Sequence, residues 1–452
     1  MKQYDVVIIG GGPAGEKCSA YLAKAGKKVC LIEKNENHIG GTCLNEGCIP
    51  AKLYLESVAC MGKKKYLESL GFSYQDAVFD INTLKNKKID LLNQIRKGAT
   101  AGIKKSGVDT IFGLASFVDE KSVHVEGEII QAGKFVIATG SVHRPHPLLK
   151  VDKKQIISSD EVFELEKIPE SILIVGGGAI GCEFATFFNS LGASVHIAEF
   201  TPNLVPAEDE DVAKTLEREL KRKGIKVTLN ANVTSFSKEK NSVAIKMETP
   251  RGEVEQSYEL VLVSIGRSPN SINLGLENAN IKSDRDFITV DKNLLTTNPN
   301  IYAIGDVVPT PALAHVAYNE AKVVANNILN PIKQEPSSVI PFVTFCNPQV
   351  ASVGLNEKML KKQNIDYVVI KQFFKSNSKA KIKGDDGGFV KFLCDKKSKI
   401  ILGGAIVGQE ATELIHEILI CVNQKLSTDD LKEMIFAHPT LSEILWENAI
   451  MT

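Results

Sequence analysis

The stretch Gly10-Gly11-Gly12-Pro13-Ala14-Gly15 decides the fold of the first part of this chain. An apolar run precedes it, a helical pattern follows it, and a second apolar run ends at Glu33, 18 residues after Gly15. Strand, glycine turn, helix, strand and acid in this order form the fingerprint of a dinucleotide-binding βαβ unit. Gly10, Gly12 and Gly15 allow the backbone to approach a pyrophosphate at the helix N-terminus, and Glu33 can accept a hydrogen bond from a ribose hydroxyl.

The same pattern recurs at Gly176-Gly177-Gly178-Ala179-Ile180-Gly181. An apolar run from Ser171 to Val175 precedes it, and the next apolar run ends at Glu199, again 18 residues after the last glycine. Either copy alone could be a glycine turn of another α/β fold. Two copies predict two bound dinucleotides, with Gly176, Gly178, Ile180, Gly181 and Glu199 in contact with the second one.

Length and composition limit the kind of protein further. A chain of 452 residues is too long for one core, so two to four domains are expected. Basic and acidic residues number 54 each, so the net charge is zero and neither nucleic acid nor a membrane is expected as a partner. The first residues lead directly into a strand, and nine scattered cysteines indicate a reducing compartment, so we expect a cytoplasmic protein without a leader peptide.

Two cysteines, Cys43 and Cys48, lie five residues apart in a stretch that begins at Gly40 and ends at Lys52. A spacing of five does not place two side chains on one helix face, so a disulfide between them would need a distorted turn. Thr42 and the neighbouring glycines are typical of a helix start, where N–H groups stabilise a thiolate or a phosphate. The alternative interpretation is a pair of buried small residues near a turn.

This stretch resembles the redox-active segment of the flavin-dependent disulfide reductases, the pyridine nucleotide-disulfide oxidoreductase family. Leu44-Asn45 and Ile49-Pro50-Ala51-Lys52 fit the branch that acts on dihydrolipoyl groups better than the glutathione-reductase branch, although Ala51 stands where serine is more usual. The resemblance implies a redox disulfide in which Cys43 exchanges with a substrate dithiol and Cys48 faces the flavin as a thiolate. It also implies that FAD and NAD are the cofactors.

The resemblance covers the whole chain and implies its domain order. The expected fold is α/β, with two Rossmann-like dinucleotide-binding domains and an α+β C-terminal dimerisation domain. The first part of the FAD-binding domain is expected at residues 1–145 and the NAD-binding domain at 146–268. A return segment at 269–336 completes the central, FAD-binding part, and residues 337–452 form the interface domain of a homodimer.

The family's motifs add further cofactor residues. Those expected at the flavin nucleotide are Lys34, Thr42, Lys52, Ala115, Thr139, Gly140, Asp306 and Ala314. Those expected at the nicotinamide nucleotide or its domain exit are Glu183, Val233 and Gly266. Lys52 is expected to pair with Glu183. Asp306 could instead be a helix N-cap or a turn aspartate.

The last candidate for catalysis is His438, in the stretch Phe436-Ala437-His438-Pro439-Thr440-Leu441-Ser442-Glu443. A histidine can move a proton near neutral pH when a carboxylate orients it. The local pattern equally fits a capping box of Thr440 and Glu443, with His438 an incidental loop residue. The resemblance favours a catalytic His438 oriented by Glu443, and Glu443 could both cap and pair.

Other histidines and cysteines show no metal-ligand spacing, and no metal is predicted. We expect Cys60, Cys346, Cys394 and Cys421 to be packed thiols.

The implied reaction is oxidation of a protein-bound dihydrolipoyl group with reduction of NAD. The expected partner is a lipoyl-bearing protein of a 2-oxoacid dehydrogenase, glycine-cleavage or other lipoate-dependent system. Two alternatives stay open at this stage: an NADPH-dependent reductase of a small disulfide or related oxidised substrate, and a flavin-bound redox sensor without catalysis. The chain ends nine residues after Glu443, where the family usually has a longer tail, and this bears on docking rather than on chemistry.

Overall fold

The computed structural model describes residues 2–73 and 78–451. The chain divides into two compact units. The first unit consists of Met1–Ala51, Asn82–Arg144 and Gly266–Ser337. The second unit consists of Lys52–Ile81, Pro145–Ile265 and Ser338–Thr452. The predicted division into four domain segments remains a prediction.

Strands and helices are numbered in chain order. The strands are β1 (Lys2–Ile9), β2 (Val29–Glu33), β3 (Asp109–Phe112), β4 (Ser116–Asp119), β5 (Ser122–Val125), β6 (Glu128–Ile137), β7 (Ser141–His143), β8 (Ile156–Ile157), β9 (Ser171–Val175), β10 (Ser194–Glu199), β11 (Lys226–Leu229), β12 (Asn232–Lys238), β13 (Val243–Thr249), β14 (Gly252–Tyr258), β15 (Leu260–Val263), β16 (Arg267–Pro269), β17 (Ser283–Asp284), β18 (Phe287–Ile288), β19 (Ile301–Ala303), β20 (Pro341–Thr344), β21 (Gln349–Gly354), β22 (Tyr367–Phe373), β23 (Phe389–Asp395) and β24 (Ile401–Gly408). The helices are α1 (Pro13–Lys24), α2 (Gly41–Asn45), α3 (Cys48–Ala59), α4 (Lys64–Ser69), α5 (Ile81–Lys105), α6 (Ala179–Ser190), α7 (Glu210–Arg222), α8 (Ala314–Leu329), α9 (Glu357–Lys362), α10 (Ser378–Ile382), α11 (Ala411–Gln424), α12 (Thr428–Lys432) and α13 (Glu443–Ile450).

The main sheet of the first unit has the strand order β3-β2-β1-β6-β5-β4, with β19 beside β6. β1 runs parallel to β2 and to β6, and Val7 pairs with Cys30 and with Phe135 across these two ladders. Val7, Cys30 and Phe135 are fully buried, as expected of parallel strands covered on both faces. The β1-turn-α1-β2 unit of the first glycine fingerprint therefore lies at the centre of this sheet.

The second unit contains a parallel sheet with the order β11-β10-β9-β15-β8. β10 lies beside β9, with His196 opposite Leu173, and α6 connects the two strands. This repeats the β1-turn-α1-β2 arrangement, because the second fingerprint also lies between two adjacent parallel strands. The predicted pair of Rossmann-like dinucleotide-binding folds is confirmed.

The C-terminal part of the second unit contains an antiparallel sheet with the order β20-β21-β24-β23-β22. Helix α11 packs on β21 and β24, and α13 packs on β22 and β23. Leu414, Ile415 and Ile418 of α11 join the apolar core of this sheet. The predicted α+β C-terminal domain is confirmed. None of the helices in the described part of the chain has the length and apolar character that a membrane span requires.

Candidate active site

The first fingerprint requires glycine because its backbone packs closely. Gly10 has φ +109°, and a Cβ there would lie 2.3 Å from the Ala138 carbonyl oxygen. A Cβ at Gly15 would lie 1.9 Å from the Gly10 carbonyl oxygen. These contacts bring the start of α1 against the ends of β1 and β6, as in dinucleotide-binding turns.

The second fingerprint has the same geometry in the second unit. Gly176 has φ +110°, and its Cβ would lie 2.5 Å from the Ser264 carbonyl oxygen. A Cβ at Gly181 would lie 2.0 Å from the Gly176 carbonyl oxygen. The two turns thus match in chain order and in the contacts that exclude a side chain.

The acid of each fingerprint is buried and contacts its own glycine turn. The Gly11 N–H donates to Glu33 Oε2 at 2.7 Å, and the Gly177 N–H donates to Glu199 Oε2 at 2.5 Å. The other oxygen of Glu199 accepts from the Thr201 N–H at 2.7 Å. A carboxylate oxygen can accept more than one hydrogen bond, so both acids retain capacity for a ribose hydroxyl.

The residues at both turns fit a bound nucleotide. A Cβ at Gly12 would meet only Gly41 Cα at 3.8 Å, and a Cβ at Gly178 would meet nothing within 4 Å. Packing within the chain therefore does not explain these two glycines, whereas a closely approaching pyrophosphate does. Gly12 and Gly178 are the N-caps of α1 and α6, and neither helix has a side-chain cap, so their first N–H groups are available to phosphate oxygens. In the first unit, the buried Thr139 Oγ1 has no hydrogen-bond partner among the described residues, which fits a polar ligand atom there.

The redox segment lies at a helix junction beside the first fingerprint. Cys43 is in α2, which ends at Asn45, and Cys48 is the first residue of α3. The break between the two helices is the distortion that the spacing of five predicted. Cys43 is partly buried and Cys48 is exposed. The N-terminus of α3 favours a thiolate at Cys48 because of the helix dipole.

Two backbone contacts connect this segment to the nucleotide turn. The Gly40 N–H donates to the Gly11 carbonyl at 2.8 Å. Gly41 has φ +60°, and a Cβ there would lie 2.7 Å from Gly12 Cα. A side chain at Gly41 would therefore push the cysteines away from the turn that holds the predicted flavin nucleotide.

Asn45 and Arg96 are structural supports that sequence reasoning missed. The Asn45 amide donates to the carbonyls of Ile39 and Gly41 at 3.2 and 2.9 Å. Arg96 of α5 donates to Asn45 Oδ1 from Nε and Nη2, at 3.2 and 2.6 Å. The sequence signals at Asn45 were its position between the two cysteines and its part in the family resemblance, and neither indicated a structural role. No sequence signal pointed to its partner Arg96, which lies on a distant helix.

The expected pairing of Lys52 with Glu183 is confirmed. Lys52 Nζ lies 3.1 and 2.9 Å from the two Glu183 oxygens. The Phe345 N–H donates to Glu183 Oε1 at 3.0 Å, and Lys52 Nζ lies 4.5 Å from the centre of the Phe345 ring. Glu183 is buried, so this pair is better shielded from solvent than a surface ion pair. Contact of either residue with a cofactor remains a prediction.

Asp306 belongs to a hydrogen-bonded chain in the first unit. Arg267 Nε donates to Ser141 Oγ at 2.7 Å, and Ser141 Oγ donates to Asp306 Oδ2 at 2.6 Å. Asp306 lies inside a short 3₁₀ turn whose N-cap is Ile304, so the N-cap alternative is wrong, whereas the alternative of a turn aspartate agrees with its position. Sequence reasoning named Gly266 at this place but assigned no role to Ser141 and Arg267, which lie on the paired strands β7 and β16.

Glu443 holds His438 and also exchanges hydrogen bonds with Thr440. Nδ1 of His438 donates to Glu443 Oε1 at 2.9 Å, and the Thr440 N–H donates to Oε2 at 2.7 Å. In return, the Glu443 N–H donates to Thr440 Oγ1 at 3.3 Å. The Thr440 N–H, more than His438, holds the pKa of Glu443 below its usual value. The predicted pairing of Glu443 with His438 is confirmed, and the reciprocal bonds of the predicted box with Thr440 are present. The N-cap of α13 is nevertheless Ser442, which has no side-chain cap hydrogen bond, so the predicted helix cap is not found. The imidazole is 72% exposed.

The remaining predicted cofactor residues lie near element boundaries or within elements of their expected domains. Their places are Lys34 directly after β2, Thr42 in α2, Ala115 directly before β4, Gly140 directly before β7, Ile180 in α6, Val233 in β12, Gly266 directly before β16, and Ala314 as the first residue of α8. Their contacts with a cofactor stay predictions.

The expectation of packed thiols is wrong for Cys60. Cys346, Cys394 and Cys421 are buried, and burial raises the pKa of the Cys394 thiol to about 12 and that of Cys421 to about 11. Cys60 is exposed because it follows the last residue of α3.

The carboxylates of Asp209, Asp211 and Glu357 lie within 4.8 Å of one another. The buried Lys391 Nζ contacts all three, at 2.7, 2.7 and 3.2 Å. An ammonium group thus already occupies the centre of this cluster, and we interpret it as an ion network rather than a metal site.

Comparisons with known proteins agree with this geometry. The family model for pyridine nucleotide-disulphide oxidoreductases matches residues 4–321, and the model for the dimerisation domain of these enzymes matches residues 340–449. A dihydrolipoyl dehydrogenase of Chlamydia pneumoniae is 34% identical over 454 residues, covering 100% of this chain and 97% of the relative. The mitochondrial dihydrolipoyl dehydrogenase 1 of Arabidopsis thaliana is 35% identical, covering 99% of this chain and 90% of the relative. The solved Cu(II) complex of the HOCl-induced flavoprotein disulfide reductase RclA from Escherichia coli aligns with a TM-score of 0.90 and 28% identity over 100% of both chains.

Proposed function

This chain belongs to the pyridine nucleotide-disulphide oxidoreductase family, whose enzymes use FAD and NAD(H), and we propose that it is a dihydrolipoyl dehydrogenase. The observation that carries the proposal is the helix junction at Cys43 and Cys48, connected to a dinucleotide turn by Gly40 and Gly41. A cysteine pair at this position can accept two electrons from a dithiol by disulfide exchange. The full-length identity to curated dihydrolipoyl dehydrogenases supports the choice of dihydrolipoyl substrate.

The proposed thiol chemistry is two disulfide exchanges. One substrate thiolate attacks Cys43 Sγ, the Cys43–Cys48 bond breaks, and Cys48 leaves as a thiolate. The second substrate thiolate then attacks the substrate sulfur bound to Cys43, which closes the substrate disulfide and releases Cys43. Two electrons pass from the dithiol to the cysteine pair. Of the two protons, one ends on Cys43 and the other on the base.

We assign the role of base to His438. Glu443 fixes the ring orientation and favours the imidazolium that forms when the ring takes a thiol proton. His438 lies in the region matched by the dimerisation-domain model, which supports a homodimer and a site shared between two subunits. FAD, when bound, supplies the two-electron acceptor that connects the reduced cysteines to NAD. The first fingerprint, Thr139 and Asp306 would hold FAD, and the second fingerprint would hold NAD.

A second candidate function is reduction of a disulfide or another oxidised substrate by a nicotinamide nucleotide. The likeness to a flavoprotein disulfide reductase over the whole chain favours it. Both candidate functions use the same cysteine pair. They differ in the direction of electron flow and in the substrate.

The test is a steady-state assay of the FAD-loaded protein with dihydrolipoamide, run with NAD and NADP in parallel. We expect NADH formation and a preference for NAD of at least ~10-fold in kcat/KM, about 1.4 kcal/mol. The buried Glu199 is the physical reason, because its charge repels the additional phosphate of NADP. NADPH-dependent reduction of a small disulfide, without oxidation of dihydrolipoamide, would establish the second candidate instead.

A further inference from the structure

Lys17 and Tyr318 form a stacked pair beside the redox segment. Lys17 lies on α1 and Tyr318 on α8, two helices that pack against each other in the first unit. Lys17 Nζ lies 5.7 Å from the centre of the Tyr318 ring, within the range of a cation–π contact. The Lys17 side chain is 44% exposed and Tyr318 is 41% exposed, so the pair meets solvent.

The pair lies close to the cysteines. The redox segment is connected to the first turn of α1 by Gly40 and Gly41, and Lys17 follows in the next turn of that helix. Burial first, and then charge on Cys43, Glu16 and Cys48, raises the pKa of Tyr318 to about 12. The phenol is therefore within electrostatic reach of both sulfurs and stays neutral when they are thiolates.

Lys17 is a solvent-exposed cation at this place. Glu16 Oε1 lies 3.4 Å from Lys17 Nζ, but the Glu16 side chain is 21% exposed against 44% for Lys17. The Tyr318 ring supports the lysine without carrying a charge. The positive charge thus faces solvent while its counter-charge is partly screened from it.

We propose that Lys17, held over Tyr318, is a specificity-determining residue that makes the redox cysteines prefer anionic thiol substrates and reagents over neutral ones. This deepens the proposed function, on which it rests for the identity of the substrate. The favoured substrate class is a dithiol whose own tail or carrier presents a negative charge near the sulfurs.

The first test measures alkylation of the reduced FAD-loaded protein by iodoacetate, which is anionic, and by iodoacetamide, which is neutral. Both reagents attack the same thiolates, so the ratio of their rates at Cys43 and Cys48 cancels any change in thiol pKa. We expect Lys17→Gln to lower the iodoacetate-to-iodoacetamide ratio by ~3-fold at low ionic strength. Salt at about 1 M should lower the wild-type ratio to the same value, because it screens the charge.

Matched variants separate this effect from general changes in charge or folding. Lys17→Arg should keep the wild-type ratio, and so should Lys24→Gln, which removes an exposed cation in the last turn of the same helix. Tyr318→Phe should keep the ratio because the ring face remains, whereas Tyr318→Leu should lower it. An unchanged ratio in Lys17→Gln, or an equal loss in Lys24→Gln, overturns the proposal.

The second test compares kcat/KM for dihydrolipoate and dihydrolipoamide, which share the dithiol and differ in the charge of the tail. Lys17→Gln should lower the ratio of the two values by ~3-fold, while electron transfer from NADH to ferricyanide stays unchanged. If neither dithiol is oxidised, the proposed function fails, and the alkylation ratio still decides the role of Lys17.

Discussion

The two hydrogen bonds of Glu443 can be separated by substitution. In Glu443→Gln the side chain keeps its shape and an oxygen that can still accept from the Thr440 N–H. The negative charge next to His438 Nδ1 is lost. If His438 is the base, the variant should hold the ring nearly in place but stabilise the imidazolium less. The amide NH2 that now faces Nδ1 donates to it, so the neutral ring carries its proton on Nε2, the nitrogen that would otherwise take the thiol proton. We therefore expect a loss of turnover that is larger than the loss of stability.

The magnitude follows from exposure. The pair has a 2.9 Å contact, but the imidazole is 72% exposed and Glu443 is 16% exposed. Solvent screening limits the interaction free energy of such a pair to ~1 kcal/mol, the upper end of what exposed ion pairs contribute. A buried charged pair would contribute more. About 1 kcal/mol of lost imidazolium stabilisation alone corresponds to a ~5-fold lower kcat/KM for dihydrolipoamide, and the tautomer that the amide favours lowers it further.

The assay compares kcat/KM and thermal unfolding of two variants. Thr440→Ala removes the Oγ1 that accepts from the Glu443 N–H and donates to the Ala437 carbonyl, but it removes neither side chain of the His438–Glu443 contact. It should cost about 1 kcal/mol of stability, as loss of side-chain hydrogen bonds does, and leave kcat/KM within about 2-fold. If Thr440→Ala reduces turnover as much as Glu443→Gln, Glu443 acts only by holding the loop before α13, and the assigned role of the pair is refuted.

Three further outcomes are expected. Cys43→Ser or Cys48→Ser should abolish dihydrolipoamide oxidation but leave FAD bound and ferricyanide reduction intact. Dithionite titration should show uptake of about four electrons per wild-type subunit but about two in either variant. Uptake of only two electrons by the wild type would mean that the cysteine pair is inert. The variants Cys48→Ser and His438→Ala can be unfolded and refolded together in equal amounts. About half of the dimers should then be mixed, each with one intact site, so about a quarter of wild-type activity should return. Proven heterodimers without activity would exclude a shared site. Burial raises the pKa of Glu208 from 4.5 to about 7, so the folded state binds more protons than the unfolded state between these two pH values. The free energy of unfolding should therefore fall as pH rises across this window, by on the order of 3 kcal/mol relative to Glu208→Gln. Equal pH dependence of the two proteins in urea unfolding would contradict this.

Sequence alone determined the features that depend on local backbone pattern. Each glycine fingerprint specifies a strand, a tight turn and a helix start within a few residues, because only glycine fits the close contacts at Gly10 and Gly15 and at Gly176 and Gly181. The His438–Glu443 contact joins residues only five positions apart, and so it too was within reach of a motif.

The tertiary structure decided which distant side chains meet and which face solvent. Arg96 contacts Asn45 across 51 positions of the chain, and Lys17 lies over Tyr318 because α1 packs on α8. Cys60 was expected to be packed, yet the end of α3 leaves it exposed. A sequence pattern defines the apolar side of a helix but not which residues of another element will lie against it, since that depends on how the helices and sheets pack. The candidate chemistry of this chain was therefore readable from its motifs, whereas the contact between Lys17 and Tyr318 became visible only in the folded molecule.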